Sequence, residues 1–396
     1  MIRDLASRVQ RIQPSPTLAV SARADELKAA GKNIISLSVG EPDFDTPEHI
    51  KQAAIQAIHD GHTKYTAVDG IVGLKKAIIN KFSKDNDLQY DLSQILVSCG
   101  GKHSLFNLFA ATLNAGDEVI IPAPYWVSYP DMVKLVDGTP VIIYAGLEQN
   151  FKITPAQLKE ALTPQTRLVI LNSPSNPTGV AYTANELKAL ANVLLGYPNA
   201  LIVSDDLYEH SYWGKEPFAN ILMVCPELYD RCIVVNGVSK SYAMTGWRIG
   251  YAAGPAKIIA AMKKIQSQST SNPASISQYA ALAAIAGDQS CLKTMNKAFK
   301  ERHDYIVTEL NKIPGLKAIP SDGTFYTFPC IKDAIKKSKT FNDDIGFAEY
   351  LLTEAELAVI PGSAFGAPGY MRLSYATSME NLQEAVKRMK AAIAKL

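Results

Sequence analysis

Lys240 ends the stretch Val234-Val235-Asn236-Gly237-Val238-Ser239-Lys240, and Arg248 follows in Met244-Thr245-Gly246-Trp247-Arg248-Ile249-Gly250. A lysine just past a buried strand is partly desolvated, which lowers its pKa and suits it to Schiff-base chemistry. An arginine set among apolar residues calls for an anionic partner. Asp205 closes the run Leu201-Ile202-Val203-Ser204, where a carboxylate is costly unless it meets a cation or a strong donor. Tyr208 follows within one turn and can share its side of the chain. Gly100-Gly101 lies between an apolar run and a helical pattern, where free N–H groups and the helix dipole favour an anion. Each feature alone also has a plain reading: a solvated lysine, an ion-paired arginine, a helix cap at Asp205, core packing by Tyr208, a tight turn at the glycines. Ser239, Lys240 and Arg248 together are far more specific than any one of them.

The elements that must position these residues are short β-branched runs alternating with helical patterns. Strands are predicted at Ile95–Val97, Val119–Ile121, Val141–Tyr144, Leu168–Leu171, Leu201–Val203 and Ile233–Val235, with helices such as His103–Leu113, Trp126–Val136, Pro155–Leu162 and Ala184–Leu195 between them. Thr183 and Glu186 have capping-box spacing at the last of these. That alternation predicts an α/β fold with a mainly parallel central sheet flanked by helices. In such sheets ligands bind beyond the carboxyl ends of the strands. Five of those ends, at Gly100-Gly101-Lys102, Tyr125-Trp126, Ser175-Asn176, Asp205–Tyr208 and Ser239-Lys240, are polar, punctuated by Gly or Pro, and predicted to face one crevice. Beyond residue 255 the pattern becomes α+β: long helices, then strand-like segments at Gly315–Ile319, Phe325–Phe328, Ala358–Ile360 and Met371–Ser374, and a helix from Met379. The predicted organisation is a large domain, 46–284, and a smaller α+β domain made of 1–45 and 285–396. The N-terminal part of the latter carries one helix and the run Ile34–Val39.

Bulk composition narrows the classes. In 396 residues 47% are hydrophobic, which excludes a disordered chain, and Lys+Arg 40 against Asp+Glu 38 leaves a net charge of +2. That balance predicts no nucleic-acid or membrane partner. The five cysteines are scattered without a C-x-x-C pair, and no two of the six histidines are spaced H-x-x-x-H, so reduced thiols and no metal are expected. Lys102 is not followed by Ser or Thr, so the glycine turn is no Walker A loop, and no G-x-G-x-x-G follows a strand. The Met-Ile-Arg-Asp-Leu start has no apolar signal core, and no run of about 18 apolar residues occurs; a cytoplasmic location is expected.

Four segments carry a family resemblance: Ser173-Pro174-Ser175-Asn176-Pro177-Thr178-Gly179, Ser204-Asp205-Asp206-Leu207-Tyr208-Glu209, Ser239-Lys240 with Arg248, and Met371-Arg372-Leu373-Ser374-Tyr375-Ala376. They resemble fold-type I pyridoxal-phosphate-dependent class I aminotransferases, within the bacterial aspartate aminotransferase-like group. Gly40-Glu41-Pro42-Asp43, Lys64-Tyr65 and Pro124-Tyr125-Trp126 extend the match, which runs in family order from about Pro14 to near the C-terminus.

The resemblance implies pyridoxal 5′-phosphate as cofactor and transamination between aspartate or glutamate and a 2-oxo acid such as 2-oxoglutarate. Other activities of the same fold are an aromatic or kynurenine-type aminotransferase and a β-lyase. Lys240 would hold the cofactor and shuttle the proton, Asp205 would pair with the ring nitrogen, and Tyr208 and Asn176 would bond the ring oxygen. Trp126 would stack on the ring. Gly100, Gly101, Ser239 and Arg248 would cradle the phosphate with Lys102 beside it, and Tyr65 would reach it from the neighbouring subunit of a homodimer. Arg372 would clamp the substrate α-carboxylate, aided by Asn176, Trp126 and the backbone of Gly40. Lys102 would meet the distal carboxylate under the Ser15–Thr17 segment, and Thr17 with Lys102 resembles the pair associated with prephenate transamination. Two positions depart from the family pattern: Gly237 replaces a serine or threonine used on the phosphate, and Asp206 stands where glutamate is more usual.

Overall fold

A computed structural model describes residues 5–396; residues 1–4 of the predicted 1–45 segment lie outside the described residues. Among the described residues twelve strands occur, in chain order: β1 Ile35–Ser36, β2 Ile95–Ser98, β3 Glu118–Ala123, β4 Thr139–Tyr144, β5 Thr166–Asn172, β6 Leu201–Asp205, β7 Cys232–Gly237, β8 Gly250–Ala253, β9 Tyr326–Thr327, β10 Leu357–Ala358, β11 Ile360–Pro361 and β12 Met371–Ser374. Seven form the central sheet in the order β2-β8-β7-β6-β5-β3-β4. The β3–β4, β3–β5, β5–β6 and β6–β7 pairs are parallel, as the alternating pattern predicts, and helices pack on both faces. All five residues of β6 and all six of β7 are buried, which is why these strands read as continuous apolar runs rather than alternating ones.

β8 was not predicted. It pairs antiparallel with both β7 and β2, one strand in from the β2 edge of the sheet. Its sequence, Gly-Tyr-Ala-Ala, has no β-branched residue, so only the two flanking strands make it extended. The predicted strand at Gly315–Ile319 is absent; Lys317 makes only an isolated bridge with Cys330. Ile34–Val39 shrinks to the two paired residues of β1.

Separate apolar clusters underlie the two regions. Ile78, Phe82, Val97, Val169, Ile202 and Val234 belong to one beneath the central sheet. Phe299, Phe325, Phe347, Leu351 and Leu382 belong to another, which also takes in Ile35 and Leu37 from the N-terminal segment. β9, β11 and β12 form a small antiparallel sheet over the latter cluster. Thr183 caps the helix Ala184–Leu195 in a complete capping box with Glu186, as its spacing predicts. Among the described residues no helix is long and apolar enough to cross a membrane, and the five cysteines are unpaired.

Candidate active site

Strand register gathers the site. Asn172 pairs with Asp205, Asp205 with Val235, Gly237 with Gly250, and Gly250 with Ser98. The chain leaving each carboxyl end therefore opens at one level, on a cavity of about 400 Å³. Lys102, Trp126, Asn176, Tyr208 and Lys240 line it from the five predicted strand ends. Thr17 and Gly40 close one side, and Arg372 enters from β12.

Lys240 is half-buried, and its Nζ donates to the Gly40 carbonyl. Burial, followed by the charges of Arg372 and Arg248 against the opposing influence of Glu41, lowers its pKa to about 8. At pH 7 such an amine is neutral roughly one time in ten, against roughly one in three thousand at its ordinary value. Glu41 is itself held by the Thr245 hydroxyl at 2.7 Å, which ties the N-terminal segment to the loop after Lys240.

Asp205 lies at the end of β6, 5% exposed. Its Oδ2 accepts from the Tyr129 hydroxyl at 2.5 Å and its Oδ1 from the Leu207 N–H at 3.3 Å, and neither donor is charged. Burial pushes the carboxyl up to about 6, with these two hydrogen bonds opposing it. Asp206 points elsewhere: Ser204 Oγ and the Asn220 amide donate to it, both at 2.7 Å, and it does not line the cavity. Burial and the charge of Glu209 raise its carboxyl to about 7. The Tyr208 hydroxyl lies 3.1 Å from that of Tyr326, and burial drives the Tyr208 phenol well above its ordinary pKa.

Opposite Asp205, the helix Gly101–Thr112 begins without a side-chain cap at its N-terminus. Gly100 has φ +92°, and a Cβ there would collide with the Arg248 guanidinium. Gly250 lets this turn lie against the sheet, since a Cβ at 250 would strike the Gly100–Gly101 backbone. Arg248 differs from the expectation of an embedded cation. It is exposed at this turn, with its guanidinium donating to the carbonyls of Thr245 at 2.7 Å and Cys99 at 3.4 Å. Ser239 lines the same cavity, together with Gly101 and Arg248. The Gly237 departure has a packing cause: a Cβ there would lie 3.1 Å from both Gly250 Cα and the Ile249 carbonyl. Lys102 Nζ sits 5.0 Å from the Trp126 ring centroid, and burial together with the charge of Arg248 lowers its pKa.

Arg372 is 3% exposed. It donates to Asn176 Oδ1 at 3.0 Å and to the Ser38 carbonyl at 2.7 Å, between the rings of Tyr326 at 4.4 Å and Phe365 at 5.0 Å. Accepting through Oδ1 leaves Asn176 its Nδ2 as a donor. The Asn176 backbone is fixed in turn by Asn172 Oδ1 at 3.0 Å.

Two predicted site residues do not line the cavity. Gly100 precedes the lining residue Gly101 but is not itself in the lining, and Tyr65 is not in it either, 91% exposed. Sequence reasoning missed Tyr129, Tyr326, Asn172 and Glu41 as partners. For Tyr129 and Tyr326 the available signal is a polar tip on an aromatic side chain, which needs a hydrogen-bond partner once buried.

The chain matches the family described as aminotransferase class I and II over residues 32–389. It is 58% identical to an aspartate/prephenate aminotransferase of Nitrosomonas europaea, across 97% of this chain and 98% of that one. It is 52% identical to an aspartate aminotransferase of Geobacillus stearothermophilus, across 97% and 98%. The crystal structure of the aspartate aminotransferase from Rhizobium meliloti superposes with a TM-score of 0.96 at 48% identity, covering 100% of both chains. Likeness of that extent, in sequence and in fold, settles the family: the chain belongs to the class I and II aminotransferases.

Proposed function

We propose that this enzyme transfers an amino group between aspartate or glutamate and a 2-oxo acid such as 2-oxoglutarate, with pyridoxal 5′-phosphate held in the cavity. The observation that carries this reading is the Lys240 amine, its pKa lowered to about 8, sharing a cavity of about 400 Å³ with a buried carboxylate at Asp205 and a buried guanidinium at Arg372. The cofactor fits the residues present. Asp205 is a buried anion with only neutral donors, a gap that a protonated ring nitrogen fills. The uncapped helix start at Gly101, with Arg248 and Ser239 beside it, suits a phosphate. Bound there, the cofactor supplies the electron sink that makes the substrate Cα–H acidic.

The chain's own residues supply the rest. Lys240 Nζ would carry the proton from the donor's Cα to the cofactor's C4′ carbon, and from that carbon to the acceptor's Cα when the 2-oxo acid follows. Arg372 receives the α-carboxylate on its planar fork, and Asn176 and Trp126 hold the substrate against it. Lys102, under Thr17, meets the distal carboxylate. We place cofactor binding in residues 46–284 and read residues 1–45 with 285–396 as the smaller domain that closes on substrate and excludes water. We read the enzyme as a cytoplasmic homodimer with shared sites. The 91% exposure of Tyr65 supports its use by a neighbour, and five unpaired thiols support a reducing compartment. Prephenate is a second acceptor on this reading. It is supported by Thr17 and Lys102 sharing the cavity and by relatives at 58% and 53% identity that are named aspartate/prephenate aminotransferases.

A panel of amino donors and 2-oxo acids, prephenate included, followed through the absorbance of the two cofactor forms, tests this. Aspartate and glutamate are expected to drive the conversion. Indifference to both, with turnover of aromatic amino acids or kynurenine or with β-elimination, overturns it. Lys102→Leu is expected to lower kcat/KM for dicarboxylates about tenfold and to spare aromatic substrates, as loss of one charge-assisted contact predicts. Equal losses for both classes exclude a distal-carboxylate role.

Asp205 also sets an acid limb. With a pKa of about 6 it is ionised at pH 7.5 and loses its charge as pH falls through 6. Its attraction for a cationic ring nitrogen is then present above that value and lost below it. Cofactor affinity measured by equilibrium titration is therefore expected to weaken between pH 7 and 5, and Asp205→Asn to bind weakly without that limb. An unchanged acid limb in the variant refutes the assignment.

A further inference from the structure

Two buried glutamines outside the cavity hold the segment that carries Tyr65. Residues 62–71, between the helices Glu48–His59 and Val72–Asn86, have no regular secondary structure, so their backbone groups need partners from elsewhere. Gln278, in the helix Ser275–Ala286, accepts from the Ile71 N–H at 2.8 Å. Its Nε2 donates to the Thr66 hydroxyl at 3.0 Å and to the Pro273 carbonyl at 2.9 Å. Gln266, in the helix Ala256–Ser269, donates to the carbonyls of Val68 at 2.7 Å and Val97 at 2.8 Å, and accepts from Asn107 Nδ2 at 3.0 Å. Both side chains are 0% exposed, and each uses its oxygen and both N–H groups.

The ends of the segment are pinned as well. The Ser275 hydroxyl donates to the His62 carbonyl at 2.7 Å, and Asp69 bridges Lys75 at 2.6 Å and Lys263 at 2.9 Å. Tyr65, in the middle of this fixed stretch, is left pointing into solvent. An apolar side chain would fill either glutamine's space at no cost in desolvation, so a saturated amide at each position specifies geometry rather than volume. Val97 and Asn107 belong to β2 and the helix Gly101–Thr112, which flank the Gly100–Gly101 turn. Gln266 therefore sets the Tyr65 segment in register with its own subunit's phosphate turn.

We infer that Gln266 and Gln278 are positioning residues for Tyr65, fixing the path of an arm whose hydroxyl serves the cofactor phosphate in the other subunit. This rests on the shared-site homodimer proposed above. Tyr65→Phe holoenzyme is expected to release pyridoxal 5′-phosphate with an affinity about tenfold weaker, as for one hydrogen bond to a charged group. An unchanged affinity overturns the shared-site reading, and this inference with it.

Hybrid dimers test the inference separately. One pairs a Gln278→Met chain with a Lys240→Ala chain, so the only lysine-bearing site is served by an intact arm. The other pairs an unaltered chain with a Gln278→Met, Lys240→Ala chain, so the lysine-bearing site is served by the altered arm. Cofactor affinity read from the lysine-linked absorbance is expected to be normal in the first hybrid and about fivefold weaker in the second. A loss in the first hybrid, or equal values in both, overturns the positioning role even where Tyr65→Phe behaves as expected. Thr66→Val removes a part-buried hydroxyl at the edge of this network and leaves both glutamines with their backbone partners, a milder change than Gln278→Met. It is expected to show the same asymmetry at about threefold, and its absence counts equally against the inference.

Discussion

Lys240→Ala is expected to reduce transamination by about 10⁴-fold or more, because on the proposed reading the same amine holds the cofactor and moves the Cα proton. Small primary amines added to the variant are expected to restore part of the rate, since they replace the lost base in a cavity of about 400 Å³. Normal turnover without added amine sinks the mechanism. The fold is expected to survive the change. The folded-state pKa of about 8 lies below the ordinary 10.5, so the native state holds the proton less tightly than the unfolded chain. The stability linked to this group is thus fully present above pH 10.5 and is lost as pH falls through 8. Cofactor-free wild type is expected to gain on the Lys240→Ala protein in thermal melts between pH 8 and 10.5, and parallel curves across that window would show the amine to be unperturbed.

Arg372→Leu is expected to lower kcat/KM for aspartate and glutamate about 10³-fold while leaving cofactor affinity near that of the wild type. Every partner of this guanidinium is neutral: an amide oxygen, a backbone carbonyl and two aromatic faces. Among the described residues its buried Nε has no partner at all. A buried cation left in that condition is costly, and a carboxylate arriving with the substrate relieves it; breaking such a pair is worth about 3–5 kcal/mol. Arg372→Lys keeps the charge but loses the fork and is still expected to fall by about tenfold or more. A leucine variant within threefold of wild type would falsify the clamp. Its melting temperature is expected to match or exceed that of the wild type, because a buried unpaired charge is removed.

Much of this site was legible because each of its main groups sits where a continuous apolar run stops. Asp205 just past Leu201–Val203 and Lys240 just past Ile233–Val235 are conspicuous for that reason, and the helix cap at Thr183 is likewise a local matter of spacing. What escaped the reading depends on non-local contact. The Tyr129 hydroxyl meets Asp205 across 76 positions of sequence, and the Tyr326 hydroxyl meets Tyr208 across 118. β8 escaped for the same reason: Gly250–Ala253 is extended only because β7 and β2 lie on either side of it. Arg248 misled because apolar sequence neighbours say nothing about where a long side chain ends.

The sequence by itself determined the α/β alternation, the five polar strand ends and the chemical types available there, because periodicity, capping and burial cost act over a few residues. Tertiary structure decided the rest. Register alone brings Asn172, Asp205 and Val235 level, so that groups at unrelated positions open on one cavity. Burial within that cavity, not residue type, moves Lys240 down to about 8 and Asp205 up to about 6, since desolvation depends on everything packed around a charge. The partners of Arg372 and the glutamines behind Tyr65 likewise exist only in the folded chain, where residues far apart in sequence come within hydrogen-bonding distance.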